Sequence, residues 1–140
     1  MSRAADRGSP GAASEPVRDL VADDEDDIRA LVGLAVGKAG CTVVASVADG
    51  TAALESARND LPELAVLDVS MPGATGLEVC AELRAEPRTA GIRILLLSAG
   101  ASPDDVARGL AAGADAYLAK PFSVTALVSQ VRTLSERQPA

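Results

Sequence analysis

The chain has 140 residues, with 13 lysines and arginines, 20 aspartates and glutamates and no histidine, so its formal charge is −7 at pH 7. Its length suits one domain, and its 48% hydrophobic content excludes a wholly disordered protein. The lack of histidine excludes Ser-His and Cys-His catalysis and histidine zinc sites, and a net-acidic chain with two aromatic residues argues against direct nucleic-acid binding.

Features of secreted and membrane proteins are missing from the sequence. No apolar run approaches the roughly 18 residues of a membrane span, and the N-terminus has no apolar signal segment. Cys41 and Cys80 form neither a disulfide framework nor a metal-binding spacing. We therefore expect a cytoplasmic protein without membrane association.

The two ends of the chain differ in composition from its middle. Residues 1–16 are rich in glycine, proline and serine and are predicted to be a disordered N-terminal tail. Residues 136–140 are predicted to be a frayed C-terminus. The folded domain is expected over residues 17–135, which leaves no length in this chain for a second domain.

The folded domain begins with a strand, a helix and a second strand. Residues 20–22 predict a buried strand that ends in acidic residues. The apolar residues after it fall on one helical face, namely Ile28, Leu31, Val32, Ala35 and Val36. Asp26 or Asp27 is expected to cap this helix, and Lys38 suits its C-terminus. A strand rich in β-branched residues follows over residues 42–47.

The middle of the domain repeats the alternation. Residues 51–58 predict a short helix closed by Asn59, which Pro62 prevents from continuing. Residues 64–67 form an apolar strand, and residues 75–84 form the next helix. The residues of that helix expected to face inward are Leu77, Cys80 and Ala81.

Two further strand–helix units complete the domain. Residues 92–97 predict the fourth strand, and Ser102 caps a helix that runs through Ala112. Residues 116–119 predict the fifth strand, and Ser123 caps the last helix. The apolar face of that helix comprises Val124, Leu127, Val128, Val131 and Leu134.

Five strand–helix units in succession predict an α/β fold. Such alternation gives a doubly wound parallel sheet with helices on both faces and right-handed crossovers. Five strands and five helices suit the flavodoxin-like order 2-1-3-4-5. Ligands of such sheets bind beyond the carboxyl ends of the strands, so functional residues are expected there.

Polar residues follow the predicted strands at that edge. Asp23 and Asp24 follow the first strand, Asp68 the third, Ser98 the fourth and Lys120 the fifth. Carboxylates held close together repel each other unless a cation intervenes, and Mg²⁺ prefers oxygen ligands. A carboxylate can attack phosphorus to give an aspartyl phosphate, while a lysine holds a phosphoryl oxygen. Each residue alone has an ordinary structural explanation, but together they indicate phosphoryl chemistry.

Four segments in this order carry a family resemblance: VADDE at 21–25, LDVSMPGATG at 67–76, LLSA at 96–99 and GADAYLAKPF at 113–122. With them the chain resembles the CheY-like receiver domain of two-component response regulators. The resemblance covers residues 17–135, nearly the whole predicted domain.

The resemblance implies a role for each matching residue. Asp68 would be the phosphoacceptor, and Pro121 would follow a cis peptide bond. The residues implied to bind Mg²⁺ are Asp23, Asp24, Asp68 and the backbone carbonyl of Ser70. Those implied to bind the phosphoryl group or to switch with it are Ser98, Lys120 and Tyr117. The chain would act on itself only, by phosphorylation and autodephosphorylation, rather than as a conventional enzyme.

The resemblance also implies partners. A sensor histidine kinase or a phosphotransfer protein would supply the phosphoryl group. A downstream protein, which the sequence does not identify, would read a change on the surface formed by the fourth helix, the fifth strand and the fifth helix. The chain would be a monomer or a phosphorylation-dependent dimer.

Three other functions are compatible with parts of this pattern. The first is the receiver part of a larger regulator with a DNA-binding or enzymatic output domain. The second is a phosphatase with Asp68 as its nucleophile, but Ser70 is a poor general acid and no cap domain is present to select a substrate. The third is a receiver that is never phosphorylated, and the complete acidic set argues against it.

Some positions depart from the usual receiver pattern or vary within it. Asp19 stands where receivers usually have an apolar residue; it costs little at the rim of the sheet but needs a partner if buried. Ser70 and Gly100 are both small, so we expect fairly open water access to a phosphoryl group.

Overall fold

A computed structural model describes residues 15–136 of the chain. Most of the predicted tail at 1–16 and of the predicted frayed end at 136–140 lies outside the described residues, so both remain predictions. Glu15 and Pro16, which are described, are exposed and precede the first strand. Within residues 15–136 no helix is long and apolar enough to cross a bilayer.

The strands form one parallel sheet in the order β2–β1–β3–β4–β5, which confirms the predicted fold class and strand order. The strands are β1 (Arg18–Ala22), β2 (Thr42–Val47), β3 (Leu64–Asp68), β4 (Arg93–Ser98) and β5 (Ala116–Ala119). The helices are α1 (Asp26–Lys38), α2 (Gly50–Asp60), α3 (Gly76–Ala85), α4 (Pro103–Ala111) and α5 (Val124–Ser135).

Two aliphatic clusters cover the two faces of the sheet. The first lies under α2 and α3 and includes Leu54, Val79 and Leu83, and the second lies under α1 and α5 and includes Val36 and Leu127. Every residue of β3 is buried, as expected for a central parallel strand that is covered on both faces. The core is therefore almost entirely aliphatic.

The predicted caps of α4 and α5 are confirmed. The Ser102 side chain accepts a hydrogen bond from the amide of Asp105, whose carboxylate accepts one from the amide of Ser102 in return. Ser123 accepts from the amide of Ala126. Each cap satisfies amides that the first helical turn leaves unpaired.

The predicted cap of α1 is wrong. The helix begins at Asp26 after Glu25, which makes no side-chain cap. Asp26 and Asp27 both lie in the first turn instead. Their charge still suits the positive end of the helix, but as part of the helix rather than as its cap.

Two further helix details differ from the predictions. Asp49 caps α2, and the helix continues past Asn59 to Asp60, after which the C-cap Leu61 has a left-handed φ of 47°. Asn59 therefore does not close it. In α3, Ala81 is exposed, whereas Val79, Cys80 and Leu83 are buried. The helical period places Ala81 on the face opposite the core.

Asp19 is buried in β1 without a hydrogen-bond partner. The residue is 0% exposed, and it pairs with Val43 on β2 and with Leu64 on β3. Neither carboxylate oxygen makes a hydrogen bond within the described chain. Burial, and then the charge of Glu63, raise the pKa of Asp19 to about 7. Of the two environments that the sequence left open for Asp19, the structure shows the buried one. The hydrogen-bond partner expected for a buried Asp19 is missing among the described residues.

A cavity of about 390 Å³ lies at the amino edge of the sheet. Its lining includes Val17, which precedes β1, and Glu136, which follows α5. Arg93 at the start of β4 donates hydrogen bonds to the carbonyl oxygens of Leu134 (2.7 Å) and Glu136 (2.9 Å). The two ends of the described chain therefore meet at this edge.

Candidate functional site

The carboxyl ends of the strands bring acidic side chains together. Asp23 and Asp24 follow β1, and Asp68 is the last residue of β3. Each of the three offers a carboxylate oxygen, and these oxygens lie within 4.8 Å of one another. Asp23 and Asp68 are buried, at 0% and 3% exposure, whereas Asp24 is exposed.

Lys120 neutralises part of this cluster. Its Nζ lies 3.1 Å from Oδ2 of Asp23, 3.3 Å from Oδ1 of Asp68 and 3.3 Å from Oε1 of Glu25. Burial lowers the pKa of Lys120, but hydrogen bonds and charge from Asp23 and Asp68 outweigh burial, and the pKa lies above its ordinary value. The ammonium therefore stays charged beside two buried carboxylates.

One lysine does not fully neutralise the cluster. Burial, and then the charge of Asp23, raise the pKa of Asp68 to about 6, although Lys120 and the amide of Ser70 act in the opposite direction. The Ser70 amide donates to Oδ1 of Asp68 at 3.3 Å. Both contacts of Asp68 use Oδ1, so Oδ2 is left without a hydrogen bond among the described residues.

Close backbone contacts position the loop after Asp68. A Cβ added to Gly76 would lie 2.4 Å from the carbonyl oxygen of Asp68, and one added to Gly50 would lie 1.9 Å from the carbonyl oxygen of Ala74. The amide of Gly50 donates to the carbonyl of Pro72 at 3.0 Å. Only glycine fits at positions 50 and 76, and the loop is thereby held against the start of α2.

The loop after β1 is fixed through Asp23. Its Oδ1 accepts a hydrogen bond from the amide of Glu25 at 2.9 Å, and its own amide donates to the carbonyl of Val47 at 3.1 Å. Arg29 on α1 donates to the Asp23 carbonyl at 2.9 Å. With these contacts and Lys120, both the backbone and the carboxylate of Asp23 are held.

Ser98 and Tyr117 meet at Gly100, in the loop after β4. The amide of Gly100 donates to Oγ of Ser98 at 3.0 Å, and its carbonyl accepts from the hydroxyl of Tyr117 at 2.5 Å. The amide of Lys120 donates to the Ser98 carbonyl at 2.7 Å, and the Lys120–Pro121 peptide bond is cis. One loop therefore connects Ser98 at the end of β4 to Tyr117 on β5.

The structure brings most of the predicted site residues together, and it adds others. Ser70 contacts Asp68 through its amide, so a role for its carbonyl remains a prediction. Sequence reasoning missed the contacts of Glu25 and Arg29, because an acidic run and one arginine on a helix are ordinary surface features. The close approaches at Gly50 and Gly76 have no local signal beyond the glycines themselves.

The donor set suits a hard divalent cation. Three carboxylates converge, two of them buried, and all the side-chain donors are oxygens. Burial, and then the charge of Asp23, keep the pKa of Asp68 raised even beside Lys120, and a bound cation would act against both. Mg²⁺ binds such oxygen ligands and retains several waters, so the residues present fit it.

Many bacterial regulators are similar to this chain in sequence. The profile of the response regulator receiver domain family matches residues 20–132. The transcriptional regulatory protein CseB of Streptomyces coelicolor is 41% identical over 118 residues, which cover 84% of this chain and 49% of CseB. PrrA of Mycobacterium tuberculosis, also a transcriptional regulatory protein, is 40% identical over 121 residues, which cover 86% of this chain and 51% of PrrA.

Solved structures of receiver domains have the same fold as this chain. The signal receiver domain of NarL from Mycobacterium tuberculosis superposes with a TM-score of 0.81 at 36% identity, covering 86% of this chain and 97% of that domain. The chain spans about half the length of the curated relatives it matches. Receiver domains are signalling domains rather than conventional enzymes. The chain belongs to the response regulator receiver domain family.

Proposed function

We propose that the chain accepts a phosphoryl group on Asp68. The observation that carries the proposal is the position of Lys120, whose Nζ lies 3.3 Å from Asp68 inside a cluster that also holds Asp23 and Asp24. This arrangement supports the proposal, because Asp68 would act as the nucleophile and Lys120 would neutralise the transferred phosphoryl group.

The step is a displacement at phosphorus. Oδ2 of Asp68, which has no hydrogen bond among residues 15–136, attacks the phosphorus atom of a phosphohistidine or an acyl phosphate. A P–O bond to Asp68 forms while the donor's P–N or P–O bond breaks, and the leaving group keeps that electron pair. Lys120 neutralises the phosphoryl oxygens, and the Ser98 hydroxyl donates a hydrogen bond to one of them.

Mg²⁺ is part of the proposal. Asp23, Asp24, Asp68 and the carbonyl of Ser70 would hold it. When bound, Mg²⁺ supplies positive charge to the phosphoryl oxygens in the transition state. Asp23 is well suited to hold Mg²⁺, because its backbone and its carboxylate are both fixed by the contacts described above.

The proposal extends to partners and to signalling. A sensor histidine kinase or a phosphotransfer protein is the donor, and the compartment is the cytoplasm. Phosphorylation adds charge and acceptor oxygens beside Ser98, and the loop through Gly100 carries the change to Tyr117 and α4. The surface of α4, β5 and α5 then favours a downstream protein or a second copy of the chain.

A second candidate is the receiver part of a longer transcriptional regulator. It is favoured by the lengths of CseB and PrrA, of which this chain covers only about half. The phosphoryl chemistry would be the same, but a DNA-binding domain would read the switch. Sequencing the transcript across both ends of this reading frame separates the two candidates.

The phosphoacceptor proposal is tested by intact mass after incubation with acetyl phosphate, with and without Mg²⁺. We expect one phosphoryl adduct that requires Mg²⁺. The adduct disappears in Asp68→Asn and persists in Asp104→Asn, an exposed carboxylate in the first turn of α4. An adduct on Asp68→Asn would remove Asp68 from its role.

A negative result has two distinguishable forms. Mg²⁺ binding without an adduct indicates a strict need for a protein donor, and purified kinase or phosphotransfer protein then replaces acetyl phosphate. Absence of both Mg²⁺ binding and an adduct contradicts the proposal and favours a receiver that is never phosphorylated.

A further inference from the structure

Gly109 in α4 lies directly against the ring of Tyr117. A Cβ added at Gly109 would be 2.8 Å from Cδ2 and 3.1 Å from Cε2 of Tyr117, and 3.1 Å from Cδ1 of Leu96. The first distance is shorter than real Cβ contacts, so a side chain at 109 and the ring cannot share this space. Gly109 is the one buried residue of α4.

A glycine inside a helix needs a reason. It lowers helix stability relative to alanine, and its neighbours Ala107, Leu110 and Ala111 in α4 are good helix formers. Gly33 and Gly37 in α1 provide the comparison, because a Cβ at either position would meet nothing within 4 Å. Gly50 and Gly76 are the first residues of their helices, so among the glycines in the interiors of α1 and α4 the steric requirement for glycine is confined to position 109.

The ring held by Gly109 also makes the hydrogen bond that closes the loop after β4. The Tyr117 hydroxyl donates to the Gly100 carbonyl at 2.5 Å, and the Gly100 amide donates to Ser98 Oγ. Leu96, which pairs with Tyr117 across β4 and β5, lies beside the same space. Because Leu96 is fully buried, the ring has little room to shift sideways, and a side chain at 109 would drive it toward solvent.

We propose that Gly109 is the positioning residue of Tyr117, and that its missing side chain sets the fraction of molecules in which Tyr117 binds the Gly100 carbonyl. A side chain at 109 moves the equilibrium toward a ring turned away from α4 and releases the loop that holds Ser98. The consequence for signalling rests on the proposed phosphoacceptor function, but the effect on Tyr117 does not.

The sequence provides the probe for this proposal. Tyr117 is the only tyrosine, and the chain has no tryptophan, so tyrosine absorbance and fluorescence report this ring alone. We would compare wild type with Gly109→Ala and Gly109→Val by near-ultraviolet circular dichroism and by acrylamide quenching. Gly33→Ala is the matched control, since it adds the same methyl group to a helix without a contact.

In the 109 variants we expect loss of the tyrosine dichroic band and stronger quenching, with the valine variant the more affected. Gly33→Ala keeps the wild-type signals. Folded 109 variants, as judged by far-ultraviolet circular dichroism, that keep the wild-type tyrosine signals would overturn the proposal.

A double variant covers the case in which a side chain at 109 prevents folding. Tyr117→Ala removes the ring, so Gly109→Ala in that background should fold and should gain thermal stability as Gly33→Ala does. If Gly109→Ala fails to fold with or without Tyr117, the glycine serves another purpose and the proposal is wrong. All these measurements are made without a phosphoryl donor, so a failed acetyl phosphate experiment leaves their outcome unaffected.

Discussion

Asp23 and Lys120 are 97 residues apart in the chain, yet Nζ of Lys120 lies 3.1 Å from Oδ2 of Asp23. The pair joins the end of β1 to the end of β5, across the two intervening strands of the sheet. Asp23 is completely buried, and the ammonium group of Lys120 is its cationic partner. The site is therefore held together by opposite charge as well as by the sheet.

Lys120→Met should destabilise the protein at pH 8 without Mg²⁺. It leaves Asp23 and Asp68 without their cation, and we expect a loss of about 2 kcal/mol, below the range for wholly buried pairs because Lys120 is 15% exposed. Urea unfolding measures this loss in the free energy of unfolding. Lys38→Met, which removes the chain's other lysine from an exposed position, is the control. Equal stability of the two variants would contradict the expected role of the ion pair.

Asp68→Asn should stabilise the protein at pH 8 in the absence of Mg²⁺. The pKa of Asp68 in the folded protein is about 6, above its ordinary value of 3.8. Its contribution to the free energy of unfolding is therefore fully present below pH 3.8 and is lost as the pH rises through 6. Because one pKa unit corresponds to 1.36 kcal/mol, removing the charge of Asp68 should raise the free energy of unfolding by about 1–3 kcal/mol. Thermal unfolding measures the gain, with Asp104→Asn as the control. Added Mg²⁺ should stabilise wild type but not Asp68→Asn, and an equal Mg²⁺ response in both proteins would count against the metal site.

Asp24→Ala should weaken Mg²⁺ binding by at least about tenfold, equivalent to 1.4 kcal/mol. Asp24 is the exposed member of the three-carboxylate group, so its removal costs the fold little while the site loses a ligand. A calorimetric or NMR titration gives the dissociation constant. Asp27→Ala, in the first turn of α1, removes the same charge from outside the group. Unchanged Mg²⁺ affinity in Asp24→Ala would refute the assignment.

Asp19→Asn should remove a pH-dependent loss of stability. The folded-state pKa of Asp19 is about 7, against an ordinary 3.8, so its contribution is fully present below pH 3.8 and is lost as pH rises through 7. The stability difference between variant and wild type should grow by about 2 kcal/mol between pH 5.5 and pH 7 and level off above that. Asp68 titrates in both proteins, so the difference isolates Asp19.

Urea unfolding at a series of pH values makes this measurement. Asp19→Val is a second variant, because it also removes the buried polar atoms and should be at least as stable as Asp19→Asn at pH 8. A wild-type curve that stays parallel to both variants would show that Asp19 is charged in the folded protein throughout this range.

The sequence predicts the sheet well because its central strands are buried on both faces. The continuous apolar runs of β3 and β4 predict strands that are buried on both faces rather than amphipathic elements. The strand order follows from the five strand–helix units. Helix ends were predicted less well. Leu61 ends α2 in a left-handed conformation that propensity does not suggest for leucine. The helical period places Ala81 outward although its side chain is apolar.

The site could be predicted from topology, whereas its fine geometry could not. Parallel strands put their carboxyl ends on one edge, so Asp23, Asp68 and Lys120 were expected to meet. The contact between Gly109 and Tyr117 depends on how closely α4 approaches the sheet, which local sequence patterns do not encode. For Asp19 the sequence left two environments open, and only its position in the central strand β1 distinguished them.

The cavity lined by Val17 and Glu136 has a practical consequence. Both ends of the described domain lie at the amino edge of the sheet, and Asp68 lies at the carboxyl edge. A fluorescent protein or a surface tether joined at Val17 or at Glu136 would therefore sit on the far side of the domain from Asp68. Immobilised through either of these positions, the domain would leave Asp68 open to the phosphoryl donor proposed above.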